Sequence, residues 1–272
     1  MNRRAIAGTL VAAVTLGATL TGQAFTAQLG ITEGRAKEAV FDSFISGAVS
    51  IAGNAEIFTA GSPQARVAMV NAATALARAF AESDEFKRRY ADHREANGPD
   101  PLPAEQTADQ VLANQRAGFE QQVTALRKQF GDDAITPEQK ATLEEGFDAM
   151  RAQFTEMEAG PKKTELEGVL KAQRAEQVSS HAAAVKAFET VYPDDARALV
   201  ALQLKRFLDT TRDVDFTAQL VEQVKVRKFA DPALEAKPSE WKMCFRAGKP
   251  ATDAARDFAG KWLAELQAQG VK

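Results

Sequence analysis

The sequence predicts an all-α protein, a multi-helix bundle of about eight or nine helices that includes one long antiparallel coiled-coil-like hairpin. Three observations predict it. Apolar residues recur three and four positions apart along most of the chain. Ser-Pro, Thr-Pro and Gly-Pro pairs stand where those runs begin, at positions that suit the first turn of a helix. No alternation of the βαβ kind interrupts them. The composition agrees, with 45% apolar and 26% charged residues and with 16 Phe against 2 Trp and 2 Tyr. Alanine is frequent and loses no side-chain entropy in a helix, which favours close-packed helices.

The N-terminus carries Arg3 and Arg4, an uncharged stretch from Ala5 to about Leu20, and then Gly22-Gln23-Ala24. A basic start, a short apolar run and a small-x-small end make a secretory signal peptide, residues 1–24. Cleavage is expected after Ala24, with Ala27 as the second choice. The apolar run is shorter than the roughly 20 residues that span a bilayer, so no stable membrane span is expected after cleavage. The pair Arg3-Arg4 also fits a twin-arginine signal, but the run before it is short. The mature all-α domain is then residues 25–272, exported to the periplasm or the extracellular space.

Removing residues 1–24 takes away two Arg and no acid, leaving 32 Lys+Arg against 37 Asp+Glu, a net charge of −5. Such a mildly acidic chain has no reason to coat nucleic acid. The single cysteine, Cys244, cannot form an internal disulfide, so packing alone must hold the fold in an oxidising compartment.

Along the mature chain, Ile31 to about Phe58 reads as a helix with Val40, Phe41, Phe44, Ile45 and Val49 on its apolar face. Ser62-Pro63 starts the next, which carries Val67, Val70, Phe80, Phe86 and Tyr90 to about Ala96. Residues 97–103, Asn-Gly-Pro-Asp-Pro-Leu-Pro, break the pattern and mark a subdomain hinge. Ala104 to Glu158 form the hairpin. Leu112, Phe119 and Leu126 recur every seven residues, and Leu143, Phe147, Met150, Phe154 and Met157 step by four and three. The short connection from Gly131 to Thr136 folds the two helices back on each other. Gly160-Pro161 opens a helix to about Val191 whose middle, Gln173, Gln177 and His181, is polar where a seam would be apolar. Pro193 starts the most apolar stretch, with Leu199, Val200, Leu202, Leu204, Phe207 and Leu208. Val214 to Phe229 reads as helix, although Val221, Val224 and Val226 also suit a strand. Asp231-Pro232 and Lys237-Pro238 bracket a loop, Ser239 caps a short helix that Gly248 ends, and Pro250 begins the last helix.

No P-loop, Gly-x-Ser-x-Gly elbow or dinucleotide fingerprint is present, so no catalytic residue is assigned and no cofactor is expected. His93 sits in a charged helix end and reads as a surface residue. His181 shares a helix with Glu165, Glu167 and Glu176, but the Glu-x-x-His spacing of helical metal sites fails at Val178, so no metal ligand is assigned. Cys244 lies among Trp241, Met243 and Phe245 and reads as a small buried apolar residue. A mixed-charge cluster, Arg206, Asp209, Arg212, Asp213 and Asp215, follows the most apolar helix and is the place to look for a polar pocket. Acids dominate from Asp132 to Glu167, and bases dominate around Lys225, Arg227, Lys228, Lys242, Arg246 and Lys249.

The segment Ile135-Thr136-Pro137-Glu138-Gln139 is similar to the LTxxQ signature of small exported helical proteins, the Spy/CpxP type of periplasmic chaperone, with Ile135 in place of Leu. The similarity covers five residues and occurs once. Thr-Pro-Glu-Gln is also a capping box with Pro at the first helical position, so helix physics accounts for it. The leading expectation is a non-enzymatic exported protein that binds a polypeptide or envelope partner through helix faces. The alternative is a small-ligand-binding protein or enzyme with a polar pocket near residues 206–215, recognised by an apolar cavity with convergent polar groups.

Overall fold

The computed structural model describes residues 22–49, 61–130, 136–223 and 226–271. The signal-peptide stretch before Gly22, the expected helix end near Phe58 and the turn at 131–135 lie outside the described residues. Among the described residues the protein is all-α: eleven helices and one two-stranded hairpin. The chain divides into two compact units, Met1–Asn97 with Val191–Lys272, and Gly98–Thr190.

The first unit opens with α1 (Gly22–Leu29) and α2 (Glu33–Ser46). Thr32 caps α2 by accepting from Arg35 N at 3.3 Å. The helix ends where Gly47 turns left-handed (φ 69°) and donates to Ser43 O at 2.9 Å, well short of the predicted end. Ser62 starts α3 (Pro63–Ala81) as expected, accepting from Ala65 N at 3.2 Å. The single helix expected to run to Ala96 is instead two, because Ser83 interrupts it and α4 (Asp84–Asn97) begins. The Ser83 hydroxyl donates to Phe80 O at 2.6 Å and accepts from Phe86 N at 3.2 Å, closing one helix and opening the next. Asp84 and Glu85 then lie in the first turn, where negative charge suits the helix dipole.

After the second unit the chain returns with α8 (Ala196–Thr210), which starts three residues beyond Pro193 because Asp195 is the cap, accepting from Arg197 N at 2.8 Å. Where a helix was expected, β1 (Leu220–Gln223) pairs antiparallel with β2 (Val226–Phe229), in the register Leu220 to Phe229. Valine crowds a helix at χ1 and suits a pleated strand, which decides this segment. The predicted loop after it contains one helical turn, α9 (Pro232–Glu235), capped by Asp231. In α10 (Ser239–Ala247) Ser239 is the first helical residue rather than the cap, and α11 (Lys249–Ala268) follows.

These elements close around Phe86, which is fully buried. Its ring meets Phe41, Phe44 and Phe80 edge-on at centroid distances of 5.7, 5.7 and 5.5 Å. Edge-to-face pairs of this kind contribute about 0.5–1.5 kcal/mol each beyond burial. Helix α11 packs along both α3 and α8 and brings in Trp262 and Leu266, while α8 supplies Leu199, Val200 and Leu204. Tyr90 is buried beside Phe86 and donates to Pro193 O at 2.6 Å, and burial pushes its phenol up to about 12.

The second unit contains α5 (Ala108–Phe130), α6 (Pro137–Glu158) and α7 (Pro161–Val191, whose last residue falls in the first unit). Thr136 caps α6 with the reciprocal bonds of a capping box: its hydroxyl accepts from Gln139 N at 3.3 Å, and Gln139 Oε1 accepts from Thr136 N at 2.9 Å. Helices α5 and α6 run antiparallel. Arg116 pairs with Glu158 at 3.0 Å, Arg151 grips Glu120 with two bonds at 2.8 and 2.9 Å, and Arg127 pairs with Glu144. The guanidinium of Arg151 holds the Glu120 carboxyl below the usual carboxylate range. Phe119 packs between Phe147 (6.3 Å) and Phe154 (5.6 Å), but Leu143 and Met150 of the same expected seam are 38% and 46% exposed. Helix α7 is 31 residues long and buries none of its side chains. It is held near its start by Lys163 to Asp109 (2.7 Å) and further along by Arg174 to Pro103 O (2.6 Å).

Candidate functional site

The first unit is not packed solid. Between α2, α3, α8, α10 and α11 lies a cavity of about 310 Å³, with Leu29 and Ile31 from the α1 end completing its wall. Its size is at the lower end of the range for ligand pockets, roughly 300–1,000 Å³. The cause is legible in the wall itself. Ala36 and Ala39 on α2, Ala73 and Ala77 on α3, and Ala251, Ala255 and Ala259 on α11 all face the space. Alanine stops at Cβ, so facing helices that carry it either approach closely or leave room. Here Phe44, Phe258 and Trp262 hold the helices apart at the aromatic end, and room is left.

The wall is mostly apolar, and the hydroxyls on it are largely committed. Ser43 donates to Ala39 O (2.7 Å), Thr74 to Val70 O (2.9 Å) and Thr252 to Cys244 O (2.8 Å). Two polar atoms are not. Gln203 Oε1 and Trp262 Nε1 are closed off from solvent and have no hydrogen-bond partner among the described residues. A buried polar atom left without a partner costs about 1–3 kcal/mol, so the two mark the wall as a place prepared for a polar contact. Glu240 is buried at the α10 side, its Oε2 accepting from Ser239 Oγ at 3.2 Å. Arg206 lies at the rim, exposed, and among the described residues it makes no ion pair. Gly47 permits this arrangement. A Cβ there would sit 2.2 Å from Arg206 Nη1 and 2.7 Å from Gln203 Oε1, and the left-handed backbone disfavours any side chain.

Of the mixed-charge cluster predicted at 206–215, Arg206 is the member that lines the cavity. The other four are drawn into local contacts. Asp209 pairs with Arg212 one turn away. Asp213 accepts from Lys237 Nζ at 2.5 Å and from Trp241 Nε1 at 3.0 Å; the ammonium of Lys237, with the indole second, holds its carboxyl below the usual range. Asp215 caps a turn by accepting from Thr217 N at 2.9 Å and Thr217 Oγ1 at 2.6 Å.

Neither histidine lies on the cavity wall. His93 is not a solvated helix end as expected. It is half-buried, edge-on to Tyr192 at 5.1 Å and to Phe41 at 6.3 Å, because the apolar face of α4 continues past Tyr90 into the charged last turn. His181 Nε2 donates to Asp100 O at 3.1 Å within the second unit. No group of three His, Cys, Asp or Glu among the described residues is placed to hold a metal ion. Of the bases expected as a patch, Lys242 bonds Glu235 O at 3.0 Å and Lys249 pairs with Asp253 at 2.7 Å.

In comparisons with known proteins, no family model, no curated protein and no solved structure matches this chain. Among the described residues no helix is long and apolar enough to cross a membrane.

Cys244 lines the cavity and is 6% exposed. Removal from water pushes its thiol up to about 11 from 9.0. At pH 8 the folded protein therefore carries about a hundredfold less thiolate than the unfolded chain. A disulfide-exchange reagent should modify Cys244 at least that much more slowly in the native protein than in denaturant. Equal rates would show that the wall does not exclude water.

Proposed function

We propose that the first unit binds an apolar small molecule in the cavity between α2, α3, α8, α10 and α11. The observation that carries this reading is the cavity of about 310 Å³ together with two polar atoms on its wall, Gln203 Oε1 and Trp262 Nε1, that have no partner among the described residues. An apolar wall drives binding by releasing water from both surfaces, and a few polar atoms fix orientation. Chemistry on the bound molecule is not assigned. We further propose that the protein is exported, with residues 1–24 as a cleaved signal. Cleavage after Ala24 leaves Leu29 and Ile31 in the wall, whereas cleavage after Ala27 would remove most of α1.

A second reading concerns the second unit and is favoured by α7, which has no buried residue along 31 positions and leaves Val169 and Val178 48% and 45% exposed. With Leu143 and Met150 on α6 also exposed, this unit carries apolar side chains on helix faces that suit association with a polypeptide or envelope partner, and its α5–α6 pair is the coiled-coil-like element.

The cavity reading is tested by filling the space. N-phenyl-1-naphthylamine, a neutral apolar fluorophore, should bind the wild-type chain at one equivalent. Ala77→Leu and Ala255→Leu should each weaken binding about tenfold or more, with circular dichroism and melting temperature kept or raised. Unchanged affinity in both folded variants would place the probe elsewhere. The mass of the exported protein should give Phe25 as its first residue; an intact N-terminus in the exported fraction would overturn the signal-peptide reading. Deleting residues 104–158 should abolish in-cell crosslinks to a partner while the fluorophore still binds, and crosslinks that persist would exclude the hairpin as the docking surface.

A further inference from the structure

The rim of the cavity has a polarity that its walls do not. Resting on the ligand-binding reading above, we propose that the occupant is an amphiphile with a single anionic head group, of the carboxylate class, and an apolar body of about a dozen carbons. The head lies at Arg206 and Gln203, and the body extends toward Phe258 and Trp262.

Size sets the body. An apolar protein cavity of roughly 150 Å³ accommodates benzene. A cavity of about 310 Å³ has twice that space and takes about a dozen carbon atoms.

Charge sets the head. Arg206 is the one Lys or Arg on the described wall. Four arginines of this unit are held in ion pairs: Arg78 with Glu82 and Glu265, Arg94 with Asp194, Arg197 with Asp195, Arg212 with Asp209. Arg206 forms no ion pair among the described residues, and its guanidinium and the Gln203 carboxamide both lie in the space that a Cβ on Gly47 would need. A guanidinium presents its N–H donors as a planar fork that matches a carboxylate with two bonds. The carboxamide next to it can add a donor when the amide is turned to bring its NH2 toward the carboxylate; its Oε1, an acceptor without a partner among the described residues, cannot bond an anion.

The other charged group on the wall orients the molecule. Glu240 on α10 is buried and repels an anion, so the head belongs at the Arg206 rim rather than at the α10 side. Between them the wall is built from Ala, Leu, Met and Phe side chains, which suit an alkyl chain. Arg206 also stands at the C-terminus of α2, where a cation is favourable without any ligand. The test has to separate that structural role from recognition.

The experiment is displacement of N-phenyl-1-naphthylamine from the full chain by dodecanoate, 1-dodecanol and dodecyltrimethylammonium, each below its micelle concentration. Dodecanoate should bind about tenfold tighter than dodecanol, and the preference should shrink as salt is raised. Arg206→Gln should bring the two to equal affinity with dodecanol binding unchanged, while Arg206→Lys keeps a preference for the acid. If all three ligands fail to displace the fluorophore, the cavity reading itself falls. If dodecanol binds as tightly as dodecanoate, or if Arg206→Gln keeps the preference, the cavity stands and the anionic head is wrong. A preference for the trimethylammonium compound would assign the head to Glu240 and overturn the proposal. Should Arg206→Gln lose its fold because α2 loses a favourable cation, the salt dependence on the wild-type chain decides alone: a preference for the acid unaffected by salt would refute it.

Discussion

The edge-on contact between Phe44 and Trp262, at 6.1 Å, is the boundary on which the first unit depends. On one side the rings of Phe41, Phe80, Phe86 and Tyr90 are buried together between α2, α3 and α4. On the other side α2 and α3 continue with alanine against the alanines of α11, and the cavity lies there. Both residues belong to core and cavity together, so the spacing that the aromatic cluster imposes is inherited by the alanine-lined end. A bundle with leucine at those positions would lose the cavity and gain burial of about 25 cal/mol for each Å² removed from water. The chain forgoes that stabilisation and keeps the room.

The two units are stabilised by different means. The first relies on large buried rings; the second relies on helix propensity, caps and ion pairs, with Ala108, Leu112, Val123 and Phe154 as its buried apolar residues. The ion pairs between α5 and α6 are exposed, and pairs of that kind contribute about 0–1 kcal/mol each. They fix the register more than they hold the unit together. Helix α7 has no buried stripe, so its helicity rests largely on alanine, glutamate, lysine and leucine, all good helix formers.

Much of the helical layout was legible in the sequence because caps and spacing are local signals. Ser62-Pro63 and Thr136-Pro137-Glu138-Gln139 start helices as their chemistry requires, and Gly248 stops one. The errors have physical reasons. Ser83 looks tolerable inside a helix, but tertiary packing of Phe80 and Phe86 on either side turns it into a double cap. Residues 220–229 follow the helical spacing, and β-branching prevails over it. The cavity was not legible as a site. Arg206 stood out for its charge, but the space beside it is created by atoms that alanine lacks, and a missing atom leaves little signal. The four-residue spacing of Ala251, Ala255 and Ala259 was the trace that remained. His93 misled for the opposite reason: its charged neighbours in sequence conceal the aromatic neighbours it meets in space.

The bond from Tyr90 to Pro193 O has one more implication. Together with Arg94, which bonds Tyr192 O at 3.1 Å and pairs with Asp194, it stitches the chain just before residue 97 to the chain just after residue 191. The polypeptide therefore leaves the first unit and re-enters it at nearly the same point. Seen this way the second unit is an insert, a module grafted into a host that closes behind it. A short Gly-Ser linker could take its place without stretching the host, and the insert can be lengthened, trimmed or exchanged while the elements around the cavity are left alone.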